Sequence, residues 1–550
     1  MLLKEEMKRA LLEASAKLGW EICSDQLNVE HPPQLSLGDV ASALPLMLAR
    51  TMKCPPRSIG EKLAEAFASD SFTNIYATPN GYINAFIHSS LLITNLKNLI
   101  CDPYKAYAGN KGKGKRVLVE FVSANPTGPL TVANARGGPI GDTISNLLEW
   151  NGYETCKEFY VNNKGAKTEK LAYSVKYYYE KLFGRDPQMP EEFYPGSYVS
   201  SLAELLKEKY NDQLLHEEEQ SLLDQIKEFC LENMLEQAKS DLAKMNISFD
   251  SWFYESTLHP DYLEKTLKHL SALGCTYQAE GALWLKTSSF GDDKDRVLVR
   301  SNSLPTYLAG DIAYHAHKFE RGFDILLDVW GADQSHQKPL MWALEALGHD
   351  ISRWKTVNFQ LVHLFRGNEE VKMSKSSGDY ITLRDLTHEV GPDVTRFLFL
   401  TRSNEQHLNF DMDLAKTRDL KNPVFYAQYA YTRCKGIMRE AEKKGMTITE
   451  DCVELIREEL FSHESEWMML RKMALLHDIL DKAANDFSPH VIAQSILNLS
   501  ADFHQFYENC RILGIEDAKV AQNRLSIVIA LEKLLKTLFR ILGISSPERM

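Results

Sequence analysis

Nowhere in this chain do two cysteines stand three positions apart. Its nine cysteines are scattered and odd in number, which speaks against a disulfide framework or a zinc site. No apolar run approaches the length that spans a bilayer, so no membrane partner is expected. The opening MLLKEEMKRALLEASAKLGW alternates charged and apolar residues at helical spacing and lacks the unbroken apolar core of a signal peptide. The expected location is therefore the cytoplasm. There is no internal repeat and no low-complexity tract. Basic residues are not in excess either. A net charge of −12 gives no sign of nucleic-acid binding, and does not exclude it, because large acidic proteins can carry local basic surfaces. What remains is ordinary: 550 residues, 44% hydrophobic and 25% charged, the composition of a globular protein with room for three or four domains.

The pattern along the chain divides into three. Residues 1–108 read as a small α+β unit, with a first helix, the turn HPPQLSLGD, a helix from about Ala41 and the strand GYINAFIH. AGNKGKGKR, Ala108 to Arg116, has the composition of a linker; its lysines are as consistent with solvation as with phosphate contact. Residues 109–403 alternate strands and helices. VLVEFV, at 117–122, is a strand; helical spacing follows over about Val132 to Trp150, and Gly152 marks its end. DILLDVWGAD, Asp324 to Asp333, is a later strand. This alternation predicts a parallel, doubly wound sheet, with a helical insertion at about 168–290. From about Asn404 to Met550 the pattern is helical throughout. Trp467, Leu470, Ala474 and Leu480 mark one helix face, and Ser488-Pro489 reads as an N-cap and first turn. This is a helical bundle. The fold class is thus α/β multidomain: a Rossmann-like catalytic domain with an insertion, a small N-terminal α+β domain and an all-α C-terminal bundle.

Two stretches carry chemistry. PTGPLTVANARGG, Pro126 to Gly138, leads from a strand into a helix. A helix N-terminus presents unpaired N–H groups and partial positive charge, and Gly128, Gly137 and Gly138 let phosphates approach. A plain turn in an α/β sheet has the same look. VKMSKSSGD, Val371 to Asp379, places Lys372 and Lys375 three apart among small hydroxyl residues. Such a cationic clamp can meet the charge that develops on a departing pyrophosphate; a solvated surface loop is the bland alternative.

Together these motifs resemble a class I aminoacyl-tRNA synthetase. EFVSANPTGPL, YLAGDIAYH, VWGADQSH, RSNEQHLNFDMDLA, NPVFYAQYAYTR, FHQFYENCRILG and LGISSPERM narrow the resemblance to the arginyl-tRNA synthetase family, and LGDVAS and NGYINAFI fit that family's extra N-terminal domain. The resemblance runs in order over essentially the whole chain. It implies that arginine carboxylate attacks the α-phosphate of ATP, that arginyl-adenylate and pyrophosphate form, and that the arginyl group passes to the terminal ribose of tRNA. It implies ATP with Mg2+, without a tightly bound metal, and a monomer. A guanidinium substrate asks for carboxylates and planar acceptors; Glu120, Asn125, Tyr307 and Asp311 match the family positions around arginine, and Ser123 lies in the same loop. Tyr307 and Asp311 share a face if their segment is helical. Asp333 and His336 follow a strand at the ligand rim. The nucleotide is assigned to Pro126, Gly128, Thr131, Asn134, Gly137, His363, Met373, Ser374 and Lys375. Tyr426, Gln428, Tyr429 and Arg433, with Tyr431, offer aromatics and arginine to anticodon bases, although several of these tyrosines fit a bundle core equally well. The N-terminal domain is expected to meet the outer corner of the tRNA.

One element departs from the family. Its His-x-Gly-His sequence at the helix start is here Thr131-Val132-Ala133-Asn134. Losing one charged donor costs about 2–4 kcal/mol of transition-state stabilisation. The reading adopted is that Thr131 and Asn134 donate hydrogen bonds to the phosphates and that Arg136 offsets part of the lost charge. KMSKS is intact, and Asn125, Tyr307 and Asp311 are in place. The alternatives are a tRNA- or arginine-binding paralogue without activation, an enzyme disabled on purpose, and a nucleotidyltransferase acting on a small molecule; the last has no use for an anticodon-type bundle.

Overall fold

VLVEF leaves a strand almost no polar face, and such a strand is stable only in a sheet covered on both sides. In the computed structural model, which describes residues 2–331, 337–371 and 381–550, Arg116–Phe121 is the central strand of a five-stranded sheet and is buried from Val117 onward. Across the sheet run Trp354–Phe359, Ile325–Gly331, Arg116–Phe121, Glu154–Val161 and Ser251–Tyr254, every neighbouring pair parallel. The chain moves outward from the centre to one edge and then returns to build the other. A switch point therefore falls between the carboxyl ends of Arg116–Phe121 and Ile325–Gly331, where open α/β sheets bind ligands.

The helical spacing over 132–150 resolves into two helices, Val132–Ala135 and Gly137–Trp150, which meet at Arg136. The second packs on the central strand so closely that a Cβ on Gly141 would lie 2.3 Å from the Phe121 side chain. The insertion is helical only in part. Ala166–Lys181, Ser197–Tyr210 and Glu219–Lys244 gather around Leu171, Val175, Leu202, Leu206 and Ile226. Ser251–Tyr254 then returns to the main sheet as its edge, and Thr276–Ala279, Ala282–Leu285 and Arg296–Val299 form a small antiparallel sheet. Four-residue strands carry too little period to stand out against long helices. A second correction concerns the stretch after Asn404: Leu408–Asp411 is a strand, parallel to Val362–Arg366. It stays with the sheet-bearing unit, which comprises 110–418 and 542–544.

Buried charge ties that unit together. Arg396 is 1% exposed. Its guanidinium donates to the Asp142 carboxylate and the Leu542 carbonyl, and to the Met245 carbonyl at 2.8 Å. Lys157 Nζ reaches the other Asp142 oxygen at 2.7 Å.

The other unit comprises 1–109, 419–541 and 545–550. Its N-terminal part has an antiparallel sheet ordered Val29–Glu30, Val40–Ser42, Ile83–Ile87, Phe72–Ala77. The helix expected from about Ala41 starts at Leu44 instead, because Val40–Ser42 pairs with Ile83–Ile87. Its C-terminal part packs the helices Pro423–Lys443, Glu464–Asn485, His490–Asn509 and Ala518–Leu542. Ser488 does not cap its helix: the N-cap is Pro489, and the Ser488 hydroxyl donates to the Asp486 carbonyl at 3.1 Å. The two ends of the chain meet directly. The Tyr107 hydroxyl donates to the Met473 carbonyl at 2.5 Å, and Arg471 Nε donates to Asp39 at 2.7 Å.

Replacing Arg396 by methionine leaves a buried carboxylate with Lys157 as its charged partner and a long hydrogen bond from Asn146. The expected cost is about 3 kcal/mol of stability, seen as a lower urea midpoint of the sheet-bearing unit by tryptophan fluorescence.

Candidate functional site: a nucleotide cleft beside an acidic pocket

The central strand ends in a tight reversal. Val122 (φ 68) and Ser123 (φ 38) both lie in the left-handed region, where a non-glycine residue costs roughly 1–3 kcal/mol. The conformation is held locally: Ser123 N–H donates to the Phe121 carbonyl at 2.9 Å, and Tyr160 N–H donates to Ser123 Oγ at 3.0 Å. The reversal turns the next loop into a cleft of about 300 Å³. Ser123, Asn125, Thr127, Gly128, Thr131 and Asn134 line one side; Lys167, Tyr194, Pro195 and Tyr198 of the insertion line the other. The Tyr198 hydroxyl donates to the Thr127 carbonyl at 3.0 Å, so the insertion fixes the glycine-bearing loop from above.

Thr131 and Asn134 face the cleft together. The Thr131 hydroxyl donates to Asn134 Oδ1 at 2.8 Å, leaving a neutral pair whose hydroxyl proton is already engaged. The backbone at Thr131 is bridged to Thr382, with Val132 N–H on the Ile381 carbonyl (3.3 Å) and Leu383 N–H on the Leu130 carbonyl (2.7 Å). Thr382 in turn caps the helix Leu383–Val390 in a reciprocal box with Asp385. The turn is thus tied to the residues that follow the KMSKS segment in sequence. Lys372, Met373, Ser374 and Lys375 themselves lie outside the described residues, as do Asp333 and His336.

The expectations for Arg136, Gly137 and Pro126 on the nucleotide side are corrected. Arg136 is fully buried and donates to the carbonyls of Gln360 (2.8 Å), Gln406 (2.8 Å) and Ser403 (3.1 Å). It binds two loops and is spent on the fold. Gly137 packs under Phe359, 2.9 Å from where its Cβ would lie, and Pro126 is buried outside the cleft lining. His363 Nδ1 bonds Glu370 Oε1 at 2.6 Å.

The second half of the site opens at the helix Tyr307–Glu320, whose first turn brings Tyr307 and Asp311 to one face. Burial, with help from the Glu120 and Glu255 charges and against His315 and Lys318, raises the Asp311 carboxyl to about 6. Glu255 is 8% exposed and also raised by burial, although His259 Nε2 (3.3 Å) and the Tyr160 hydroxyl oppose the shift. A Cβ on Gly310 would lie 3.1 Å from Glu255 Oε1, so this carboxylate rests on the backbone of the Asp311 turn. Two carboxylates whose pKa values burial raises stand beside the tyrosines 160 and 307, an arrangement that suits a cation. Glu120 takes a different place from the one expected. It is 5% exposed, and its Oε2 accepts from Lys318 Nζ. It belongs to the floor of the pocket. Glu120, His315 and Asp328 lie close enough together to surround a metal, but Lys318 fills that position: its ammonium also reaches Asp328 Oδ1 at 2.7 Å, while His315 Nε2 (2.8 Å) and Trp354 Nε1 (2.6 Å) occupy Asp328 Oδ2.

Glu255, Tyr160 and Lys167 escaped the sequence reading. Tyr160 is the last residue but one of the strand Glu154–Val161 and Glu255 directly follows Ser251–Tyr254, so the rule that ligands gather at strand carboxyl ends would have found both. Lys167 has no such signal.

In the helical bundle, Tyr429, Arg433, Arg439, Tyr507 and Arg549 line a second cleft of about 470 Å³. The Arg433 guanidinium lies 4.6 Å from the Tyr507 ring centroid and donates to its hydroxyl at 2.9 Å. Tyr426 is half-buried against His504. Gln428 is corrected: it is buried, and its amide donates to the Ser545 carbonyl at 3.1 Å.

Three family models match the chain: an arginyl tRNA synthetase N terminal domain over residues 1–87, a tRNA synthetases class I (R) catalytic domain over 95–427 and a DALR anticodon binding domain over 427–550. An arginine–tRNA ligase of Caldanaerobacter subterraneus is 40% identical over 563 aligned positions, covering 100% of this chain and 99% of that one. One from Listeria monocytogenes is 35% identical, covering 99% and 98%. The structure of the Thermus thermophilus arginyl-tRNA synthetase superposes with a TM-score of 0.76 at 20% identity, covering 100% of both chains.

Between pH 3.8 and about 6 Asp311 binds more protons folded than unfolded, so its contribution to stability falls as pH rises through that window and stays low above it. Asp311→Asn should therefore stabilise the unliganded protein at pH 7.5 by roughly 1–3 kcal/mol and leave it unchanged at pH 4. Thermal melting of both proteins across pH 4–8 checks the sign.

Proposed function

The chain belongs to the arginyl-tRNA synthetase family, and on that premise we propose which of its residues carry out the ligation. The enzyme joins L-arginine to its tRNA at the expense of ATP, through an arginyl-adenylate. The observation that carries the residue-level reading is the convergence of Asp311 and Glu255 beside Tyr307, next to the cleft of Thr131 and Asn134, at the switch point of the sheet. A guanidinium placed between two carboxylates satisfies both, and its charge favours their ionised form. Asn125 and Ser123, on the loop between pocket and cleft, take the α-amino and carboxylate end.

ATP occupies the cleft with its α-phosphate toward the amino acid. An arginine carboxylate oxygen bonds to the α-phosphorus, the bond to the β-phosphate oxygen breaks, and pyrophosphate leaves with the electron pair. Lys372 and Lys375 meet its charge, with Met373 and Ser374 between them. Magnesium carried with ATP supplies further charge at the phosphates. The terminal ribose hydroxyl of tRNA then attacks the acyl carbon and releases AMP. Binding without activation has no observation in its favour, since the two halves of the site adjoin as activation requires.

The bundle cleft takes the anticodon. Guanidinium and phenol planes of Arg433, Tyr429 and Tyr507 suit bases splayed out of the loop. No helix among the described residues is long and apolar enough to cross a membrane, and the cytoplasm is where such a ligase meets its tRNA.

Purified protein with ATP, magnesium and tRNA should transfer radiolabelled arginine, and neither lysine nor citrulline. Lys375→Ala should cut the rate roughly a hundredfold or more; transfer that survives it, or absence of transfer by the unaltered protein, would remove the assignment. Arg433→Ala should raise the KM for tRNA roughly tenfold while the affinity for arginine, measured calorimetrically, stays the same.

A further inference from the structure

The nucleotide cleft has a charge problem. Adenylate formation moves an electron pair onto the departing pyrophosphate, yet the residues at the helix start are a neutral hydroxyl and a neutral amide bonded to each other. Arg136, two positions on, is fully buried and spent on three carbonyls. Among the described residues that line the cleft, Lys167 is the one cation. It lies in the first turn of the helix Ala166–Lys181, and its side chain is exposed. No carboxylate among the described residues is paired with it. Its ammonium stands 5.1 Å from the centroid of the Tyr307 ring, at the border between the acidic pocket and the cleft.

We propose that Lys167 is a catalytic residue of arginine activation, its ammonium contacting the ATP phosphates and supplying the positive charge that histidines provide elsewhere in the family. The inference rests on the reading that this cleft holds ATP. The Tyr307 ring steers the ammonium by a cation–π contact without removing its charge. The helical insertion thereby does more than cover the loop. It brings a cation from 36 residues downstream of Thr131, the interval 131 to 167 in the sequence, to the phosphate side of a turn that has none. In the step itself Lys167 forms and breaks no covalent bond. It stabilises the negative charge that grows as the α-phosphorus passes from pyrophosphate oxygen to arginine carboxylate oxygen.

The test is arginine-dependent ATP–pyrophosphate exchange with tRNA present, for the unaltered protein, Lys167→Gln and Lys167→Arg. Lys167→Gln should lower kcat for exchange about a hundredfold, the size expected for one charged transition-state donor, with KM for arginine and the melting temperature little changed because the side chain is exposed. Lys167→Arg should restore at least a tenth of the lost rate. Two outcomes overturn the assignment: kcat of Lys167→Gln close to that of the unaltered protein, or an effect confined to KM for arginine, as a mere neighbour of Tyr307 would give. Absence of exchange by the unaltered protein would overturn the ATP reading and this assignment together. An active protein indifferent to Lys167→Gln would overturn the assignment alone.

Discussion

Three carboxylates stand side by side on one face of the central sheet. Asp328, Glu120 and Glu158 are direct cross-strand neighbours on three adjacent strands, about 4.8 Å apart, and all are buried. Like charges in that register repel, and burial makes the repulsion worse. One helix resolves it. Lys318 lies between Glu120 and Asp328, Tyr314 and Arg321 bond Glu158, and His315 bonds Asp328. Against the upward push of burial, Lys318 and His315 hold the Asp328 carboxyl well below the usual range. The helix Tyr307–Glu320 and its C-cap Arg321 are positioned so that all four groups lie over the row. Its first turn, with Tyr307 and Asp311, is aimed by the same constraint. A buried ion network of this kind adds little net stability, because desolvation offsets the attraction. Here it fixes position, and position is what the substrate pocket needs.

The acidic pocket is the visible result of that alignment. Asp311 is left without a cation of its own while the carboxylates beneath it are matched. Its raised carboxyl and that of Glu255 mark a charge deficit that a bound cation would relieve. The folded protein thus carries a cost at the site that ligand binding relieves.

The nucleotide side obeys another constraint. The turn at 130–134 is held by backbone bonds to Ile381 and Leu383, and Tyr198 bonds the Thr127 carbonyl just before it. Arg136 holds the loops at 360 and 403–406 around the helix start. Replacement of two imidazoles by threonine and asparagine leaves these backbone bonds in place, because they run between main-chain groups. Charge was lost at the turn and scaffold was kept, which is how an ammonium from the insertion can serve in its place.

Much of this was legible in the residues. VLVEFV and DILLDVWGAD announce buried parallel strands by lacking a polar face, and the periodicity of 464–509 announces a bundle. YLAGDIAYH puts Tyr307 and Asp311 on one helical face, and PTGPLTVANARGG marks the nucleotide turn. Those features are local, and local period and turn chemistry are encoded in contiguous sequence. What the tertiary structure alone decided is which charges are spent and which remain. Nothing near Arg136 in sequence reveals that carbonyls 224 and 270 positions away will take its guanidinium. Nothing near Glu120 reveals Lys318, and nothing near Lys167 reveals the site it joins. Whether an ionisable side chain acts on a ligand or on the fold depends on partners brought close by long-range packing. The sequence by itself determined the long strands, the long helices and the reaction family; only the three-dimensional arrangement assigned the charges to their work.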